Sequence, residues 1–322
     1  MKETIWHQKD KKEIVSLFEE AARPEDVRTI RVALLNDIHD TTFDISTNNE
    51  EFIKRIKEEF NLVVPTTKNT PIFYYLDQEK NKRAKQFTGA HDREKKAGIL
   101  FGNEEYGLFR SSVIGFASAL LEDFYHPIHA SIAYIKGKGI AFTGEHMAGK
   151  STSLHYFIEA VRKSDFQVLT DDWGIVRSLE GKLIAQSIDP TLALNKDLIE
   201  KFPHLETSYN KHKGPHNKVY LNPNVVFWPG AFIPLIELDT IVLLESEKSE
   251  MDLIAPITPK EAAERIVEAT CHMPDCYSSL TQEQLFFWES MLSKKSLYLF
   301  NTRYGKDVKS TYWTLQEKIF NA

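Results

Sequence analysis

Apolar positions along the chain form short strand-like runs and longer helix-like repeats, the pattern of an α/β protein. In the first part, three β-rich runs predict strands, and a repeat at 49–60 predicts a helix between the second and third; the runs are IRVALL, TFDIS and PIFYYL. An amphipathic repeat over the first ~20 residues predicts a peripheral helix. The polar stretch 77–98 predicts a solvated loop.

Two further patterns complete this part of the chain. The run GILFGNEEYGLFRSS predicts a hairpin that turns near Asn103, and SVIGFASALLEDFY predicts an amphipathic helix that ends before Pro127. Residues 1–125 are therefore predicted to form an α+β region, which we interpret as a region for recognising a substrate or partner. Residues 126–322 are predicted to form a second domain.

The second domain opens with two apolar runs separated by Lys-Gly-Lys-Gly, in IHASIAYIKGKGIAFTG. A short glycine-containing turn between two such runs favours an antiparallel hairpin. The second run leads directly into Gly144, and a helical repeat follows in STSLHYFIEAVRK. The order is therefore strand, glycine-containing loop, helix.

The loop between this strand and helix matches the pattern G-x-x-x-x-G-K-[ST]. Such glycines allow backbone N–H groups to surround a phosphate, the lysine neutralises its oxygens, and the serine hydroxyl binds Mg²⁺. The sequence therefore predicts a site for a nucleoside triphosphate. Its residues are Gly144, Glu145, His146, Met147, Ala148, Gly149, Lys150, Ser151 and Thr152.

An aspartate pair follows the next predicted strand, in FQVLTDDWG. The strand would bring Asp171 and Asp172 to its carboxyl end, where ligands of α/β sheets collect. Neighbouring side chains on an extended strand point in opposite directions, which predicts separate roles for the two carboxylates. Phosphoryl transfer needs a carboxylate on the metal side and a group that handles the proton of the nucleophile.

A basic stretch, YNKHKGPHNKVYLNP, lies further along the chain and contains Lys211, Lys213, His216 and Lys218. Cations in this interval would stabilise the charge of a transferred phosphoryl group, and Lys218, beside the strand-like VYL, is the predicted member. A solvated surface loop is equally compatible with this pattern. Downstream, Thr258 and Glu261 predict a capping box at the start of a helix.

Composition narrows the class of protein further. A formal charge of −6 argues against a general binder of nucleic acid or anionic membranes. No apolar run approaches the ~20 residues that span a bilayer, so we expect a cytoplasmic protein. Cys271 and Cys276 are expected to be free thiols, because no second Cys/His pair accompanies them. Apolar helix faces are equally suited to a core or to a homo-oligomer contact.

The segment HASIAYIKGKGIAFTGEHMAGKS, followed by LTDDWG, resembles HPr kinase/phosphorylase and its smaller kinase relatives. In those proteins a histidine opens the strand that leads by a hairpin to the P-loop, and His129 occupies that position. The PEP carboxykinases share this nucleotide-binding architecture, with a later Asp-Asp element. The resemblance implies an α/β fold, a PEP carboxykinase/HPr kinase-like P-loop domain with a mixed sheet, preceded by the smaller α+β region.

The resemblance also implies roles for individual residues. Asp171 would act as the base toward the acceptor hydroxyl, and Asp172 would lie on the Mg²⁺ side with Ser151. His129 would sit beside the base, and we expect it to form a hydrogen bond with Asp171 that orients the carboxylate. A structural histidine at the start of a strand is equally compatible with the sequence.

These motifs do not identify the molecule that accepts the phosphoryl group. Thr152 stands where HPr kinases usually have Glu, and the glycine-rich signature of that family has no match downstream. We therefore expect an Mg²⁺-dependent kinase that uses ATP or GTP and phosphorylates a serine-type hydroxyl of a peptide or small molecule, for example in lasso peptide tailoring. The alternatives are a nucleotide-binding regulator without phosphotransfer and a PEP carboxykinase-type lyase.

Overall fold

The structure is a computed structural model. The residues it describes are 28–34, 41–47, 54, 72–77, 88–92, 97–102, 126–187, 191–202, 205, 218–245, 254–271, 282–302 and 308–321. The chain divides into two compact units, and the main division falls between Asp123 and Phe124. The recognition role of the first unit and the kinase role of the second stay predictions.

The described part of the first unit is a five-stranded sheet with the order β1-β2-β3-β5-β4. Its central pairs, β2 with β3 and β3 with β5, are parallel, and the two outer pairs are antiparallel. The three strands predicted from apolar runs are confirmed as β1 to β3. The bounds are β1 (Arg28–Leu34), β2 (Thr41–Thr47), β3 (Ile72–Asp77), β4 (Thr88–Asp92) and β5 (Ala97–Gly102).

The prediction of a loop over 77–98 is wrong where this stretch contains β4, and its two ends overlap β3 and β5. The strand lies at an edge of the sheet, where polar residues are tolerated, and its sequence TGAHD has no alternation of apolar and polar positions. The helices predicted for the first residues and for 112–125, and the turn near Asn103, lie outside the described residues. Of the helix predicted at 49–60, only Lys54 is described, and it is helical.

The second unit is built on a nine-stranded mixed sheet with the order β13-β10-β9-β6-β7-β14-β16-β15, and β8 also pairs with β6. β14 is parallel to both β7 and β16, whereas the remaining pairs are antiparallel. The predicted α/β class and mixed sheet are confirmed. The strands of this sheet are β6 (His126–Ile135), β7 (Lys138–Thr143), β8 (Phe166–Thr170), β9 (Trp173–Leu179), β10 (Lys182–Ser187), β13 (Leu235–Glu237), β14 (Thr240–Glu245), β15 (Ile254–Pro256) and β16 (Ser296–Asn301).

The remaining elements are a separate strand pair and the helices. The pair consists of β11 (Leu192–Asn195) and β12 (Lys218–Leu221). The described helices are α1 (Lys150–Glu159), α2 (Lys196–Lys201), α3 (Pro223–Val226), α4 (Pro259–Cys271), α5 (Gln282–Leu292) and α6 (Val308–Phe320), and a 3₁₀ turn spans Lys163–Asp165. None of the described helices is long and apolar enough to cross a membrane.

Two apolar cores lie against this sheet. Along β14, Val242 and Leu244 belong to one core and Ile241 and Leu243 to the other. Alternate residues of a strand face opposite sides, so the cores lie on opposite faces of the sheet. Helices α1 and α6 contribute to the first core, whereas α4 and α5 contribute to the second. The sheet is therefore enclosed between two helical layers, and its strand ends position the candidate site.

Candidate active site

The predicted phosphate loop connects the end of β7 to the start of α1. The hairpin of β6 and β7 is antiparallel, as predicted. Gly149 precedes α1 with φ 99°, a left-handed conformation that favours glycine. A Cβ on Gly144 would lie 2.7 Å from the carbonyl oxygen of Leu244, which leaves no room for a side chain. Both glycines of the pattern are thus required by the shape of the loop.

Lys150 reaches back across the loop. Its Nζ donates to the carbonyl oxygens of Gly144, at 3.0 Å, and Glu145, at 2.8 Å, and the residue is buried. Ala148 is buried, while the side chains from Glu145 to Met147 face solvent. Met147 is 82% exposed and has φ 65°, an uncommon conformation for a non-glycine residue. The cation therefore lies within the loop, and its tip presents side chains to solvent.

The aspartate pair lies where two strands meet a third. Both β8 and β9 pair with β6, and Thr170 lies opposite Ile132 while Trp173 lies opposite His129. The step between β8 and β9 therefore crosses the middle of β6. The backbone N–H of Ala130 donates to the carbonyl oxygen of Asp172 at 3.0 Å, which fixes this crossing.

Asp171 is buried, with 2% of its surface exposed. Its carboxylate accepts hydrogen bonds from the Ser131 hydroxyl, at 2.7 Å, and from the Ala193 backbone N–H, at 3.2 Å, and the Ser151 side chain lies next to it. Burial raises the pKa of Asp171 to about 7, and the neighbouring Asp172 adds to this rise, although the interactions with Ser131, Ser151 and Ala193 oppose it. The contact with Ser151 joins this carboxylate to the phosphate loop.

Asp172 is more exposed and contacts a different residue. Its Oδ1 lies 3.2 Å from Nε2 of His129, whose Nδ1 lies 3.3 Å from the carbonyl oxygen of Ala269. The Trp173 ring stacks on the imidazole at 4.5 Å. A carboxylate and a carbonyl both accept, so His129 makes both hydrogen bonds together only when both ring nitrogens carry a proton.

The predicted hydrogen bond between His129 and Asp171 is therefore wrong, because His129 contacts Asp172. The residue that contacts Asp171 from β6 is Ser131, two positions further along the strand. Residues two apart on a strand lie on one face, so the segment His-Ala-Ser carried a signal for Ser131 that the sequence analysis missed. The sequence contains no signal for the role of Ala193, because this residue contacts Asp171 through its backbone N–H in β11.

Lys218 is the first residue of β12, opposite Asn195 in the register with β11. Two positions away in that register is Ala193, whose N–H binds Asp171. The backbone of Lys218 thus lies near the aspartate pair, and its catalytic role stays a prediction. Lys211, Lys213 and His216 lie outside the described residues, as does the segment from His272 to Cys276.

A cleft of about 280 Å³ adjoins the phosphate loop. It is lined at the carboxyl ends of β7 and β14 and by α4, through Gly144, Glu145, Leu243, Leu244, Glu245, Arg265, Glu268 and Ala269. Nη1 of Arg265 lies 2.9 Å from Oε2 of Glu245 across it. Ala269, which lines the cleft, is also the residue whose carbonyl oxygen contacts His129.

The oxygen atoms at this place suit magnesium. Within the described residues there is no group of three or more His, Cys, Asp or Glu side chains that would hold a metal by themselves. Mg²⁺ is usually bound through one or two carboxylates together with substrate phosphates. The adjoining Ser151 hydroxyl and Asp171 carboxylate fit that requirement, and Thr152, half-buried in the first turn of α1, follows them.

Comparisons with known proteins give a distant structural likeness. No family model and no curated protein matches the chain. Among solved structures, the chain is similar to the Hpr(Ser) kinase/phosphatase from Coxiella burnetii, with 18% sequence identity and a TM-score of 0.28. The alignment covers 42% of this chain and 73% of that chain. The likeness is too distant to transfer the role of any residue.

Proposed function

We propose that the protein is an Mg²⁺-dependent kinase that transfers the terminal phosphoryl group of ATP or GTP to a hydroxyl group. One observation carries this proposal: the segment 144–151, which joins a strand to the first turn of a helix, lies next to a buried carboxylate through the contact of Ser151 with Asp171. The loop residues and this carboxylate supply, within one site, the parts that phosphoryl transfer requires.

The contacts favour the reverse of the roles expected from the family resemblance. Asp171 binds Ser151 and is enclosed by hydrogen bonds, so an acceptor hydroxyl reaches it only by displacing them. Asp171 would bind Mg²⁺ together with Ser151 and phosphate oxygens. The bound ion would neutralise phosphate charge. We assign Asp171 to the metal side.

Asp172 is assigned to the acceptor side. Its side chain is 28% exposed, and His129, anchored to Ala269, orients it. As the acceptor oxygen bonds to phosphorus and the bond to the departing diphosphate breaks, the hydroxyl proton passes to the Asp172 carboxylate. Protonated His129 would hold that carboxylate in place by donating from Nε2. Lys150, whose Nζ donates to the carbonyl oxygens of Gly144 and Glu145, would neutralise the phosphate oxygens of a bound nucleotide.

The cleft beside the loop is the proposed entrance for the acceptor. It is lined by Gly144 of the phosphate loop and by Ala269, whose carbonyl oxygen anchors His129, and this shared lining supports the proposed entrance. A peptide or small-molecule serine-type hydroxyl remains the proposed acceptor, with peptide tailoring as one setting. Lys218 is proposed to stabilise the transferred charge.

Nucleotide binding tests the proposal directly. Calorimetry with Mg²⁺ and ATP should give strong binding to the wild type and at least a tenfold loss in Lys150→Ala, on the order expected for removing a charged contact. Lys182→Ala is the matched control, because this exposed lysine pairs with Glu237 on an edge strand. Equal affinities of wild type and Lys150→Ala would contradict the phosphate-loop assignment.

Turnover separates a kinase from a binding protein. Release or transfer of the labelled γ-phosphate of ATP is measured with water, free serine and serine-containing peptides as acceptors. Transfer that depends on Lys150 supports the kinase. Nucleotide binding with no turnover by any acceptor would instead favour a regulator, and conversion of oxaloacetate would favour the lyase.

A further inference from the structure

The C-terminal helix α6 is joined to the phosphate loop by a buried chain of two hydroxyl groups. The hydroxyl of Tyr312, on α6, lies 2.9 Å from Oγ of Ser153 in the first turns of α1. Oγ of Ser153 donates to the carbonyl oxygen of Gly149 at 2.9 Å. Ser153 has no exposed surface and Tyr312 only 2%, so water does not compete for these bonds.

The chemistry of these groups fixes which atom donates in each of the two hydrogen bonds. The carbonyl oxygen of Gly149 only accepts, so Ser153 uses its one proton there. Oγ of Ser153 therefore accepts the hydrogen bond from the Tyr312 hydroxyl. Burial also raises the pKa of Tyr312 to about 12, which keeps the hydroxyl protonated and able to donate.

The end of this chain is a peptide group of the phosphate loop. The carbonyl oxygen of Gly149 accepts hydrogen bonds from both the backbone N–H of Ser153, at 2.8 Å, and its hydroxyl. This carbonyl and the N–H of Lys150 belong to one planar peptide unit, so fixing the oxygen also fixes the direction of the N–H. The Lys150 N–H is among the first of α1, the groups that point at a phosphate bound at a helix N-terminus. Gly149 has φ 99°, so its peptide orientation is one that few residues adopt.

We propose that Tyr312 is a positioning residue for nucleotide binding, acting through Ser153 on the Gly149–Lys150 peptide group. The inference rests on the proposed nucleotide-binding function and deepens it, because it gives the C-terminal helix a role in setting the shape of the phosphate loop. The tyrosine ring has a separate, structural role, since it stacks on Tyr156 at 4.5 Å. Removing the hydroxyl alone therefore isolates the proposed effect.

Tyr312→Phe is the first test variant, with Mg-ATP affinity measured by calorimetry on the full chain. Losing the hydrogen bond to Ser153 should weaken binding by roughly 3- to 10-fold. Ser153→Ala should weaken it similarly. In the double variant the second substitution should have no further effect, because both act through one chain. Additive losses, or wild-type affinity in Tyr312→Phe, would overturn the inference.

Gln316→Ala provides the matched structural control. Gln316 lies on the same helix and donates to the carbonyl oxygen of Tyr156 at 3.2 Å, without contacting Ser153 or Gly149. Gln316→Ala should lower the unfolding midpoint while leaving Mg-ATP affinity unchanged. If Gln316→Ala weakens nucleotide binding as much as Tyr312→Phe does, the hydroxyl chain has no special role and the inference is wrong.

Failure of the proposed function gives a different result. If wild type and Lys150→Ala bind Mg-ATP equally, the nucleotide site itself is wrong, and this inference fails with it. If binding depends on Lys150 but not on the Tyr312 hydroxyl or Ser153, only the role of Tyr312 fails. Should Tyr312→Phe not fold, Ser153→Ala measures the same loss.

Discussion

Asp171 and Asp172 are neighbours in sequence, yet they differ in burial and in the residues they contact. Asp172 is the proposed base, held by His129 at 3.2 Å. Asp172→Asn keeps the shape of the side chain and removes its basicity, so we expect phosphoryl transfer to fall by ~10²–10⁴-fold. Mg-ATP affinity should change little, because the proposed metal-side carboxylate is unaltered. Initial rates of γ-phosphate transfer, paired with calorimetric titrations, measure both effects.

Asp171→Asn should give the complementary result. Its carboxylate meets Ser151, so loss of the charge should weaken Mg-ATP binding and raise the Mg²⁺ concentration needed for half-maximal rate. Titrating Mg²⁺ at fixed ATP in wild type and variant measures this requirement. The opposite pattern, in which Asp171→Asn loses transfer alone and Asp172→Asn loses metal dependence, would restore the assignment implied by the family resemblance.

The raised pKa of Asp171 also predicts a pH dependence of stability. Burial raises this pKa from 3.8 to about 7, so between these values the folded protein binds a proton that the unfolded chain does not. The stabilisation from this group is complete below about pH 4 and is lost as pH rises through about 7, by up to roughly 4 kcal/mol. The difference in unfolding free energy between wild type and Asp171→Asn should fall over this range. A constant difference would contradict the raised pKa.

At the residue scale, sequence reasoning proposed the residues of the candidate site but did not predict which of them contact one another. The glycines, Lys150 and the aspartates are fixed by a local pattern, because strand, loop and helix follow one another directly. Which aspartate meets His129 depends instead on how β8 and β9 both register against β6. Such a register is set by long-range packing, so the sequence did not distinguish the two carboxylates.

At the scale of elements, one strand depends on a close backbone approach. A Cβ on Gly139, in β7, would lie 1.9 Å from the carbonyl oxygen of Glu237. Gly139→Ala therefore forces backbone movement and should lower the unfolding free energy by about 1–3 kcal/mol or more. Gly174→Ala is the graded control, because its Cβ would meet the nearest atoms at 3.3 Å and should cost less. Chemical denaturation of both variants tests this order, and equal losses would contradict it.

Elements with a local signal were predicted well. The capping box before α4 is confirmed, since the Thr258 N–H donates to Glu261 at 3.1 Å and the Glu261 N–H donates to Oγ1 of Thr258 at 3.2 Å. The edge strand β4 was missed because its residues carry no apolar alternation, and its identity depends on pairing with β5. Local patterns thus predicted elements that have a local signal. The edge strand could be recognised only from its pairing in the structure.

At the scale of the whole molecule, the sequence predicted the α/β class and the mixed sheet but not the strand order. β14 lies between β7 and β16, and these strands are far apart in the chain. The pairing arises because alternate residues of β14 fill two cores on opposite faces of the sheet. The phosphate loop continues directly from this enclosed sheet. Ligand binding at the loop should therefore raise the stability of the second unit.

Nucleotide should therefore stabilise the folded protein by linkage. A ligand that binds only the folded state, at about a hundred times its Kd, adds about 2.7 kcal/mol. For a domain of the size of the second unit, this added free energy raises the midpoint temperature of unfolding by roughly 5–10 °C. We expect this shift with Mg-ATP in the wild type, and little or none with AMP, which lacks the β- and γ-phosphates that Lys150 is proposed to neutralise. Thermal unfolding with each ligand measures it. In Lys150→Ala the Mg-ATP shift should shrink at equal ligand concentration, whereas an undiminished shift would mean that the nucleotide binds elsewhere on the molecule.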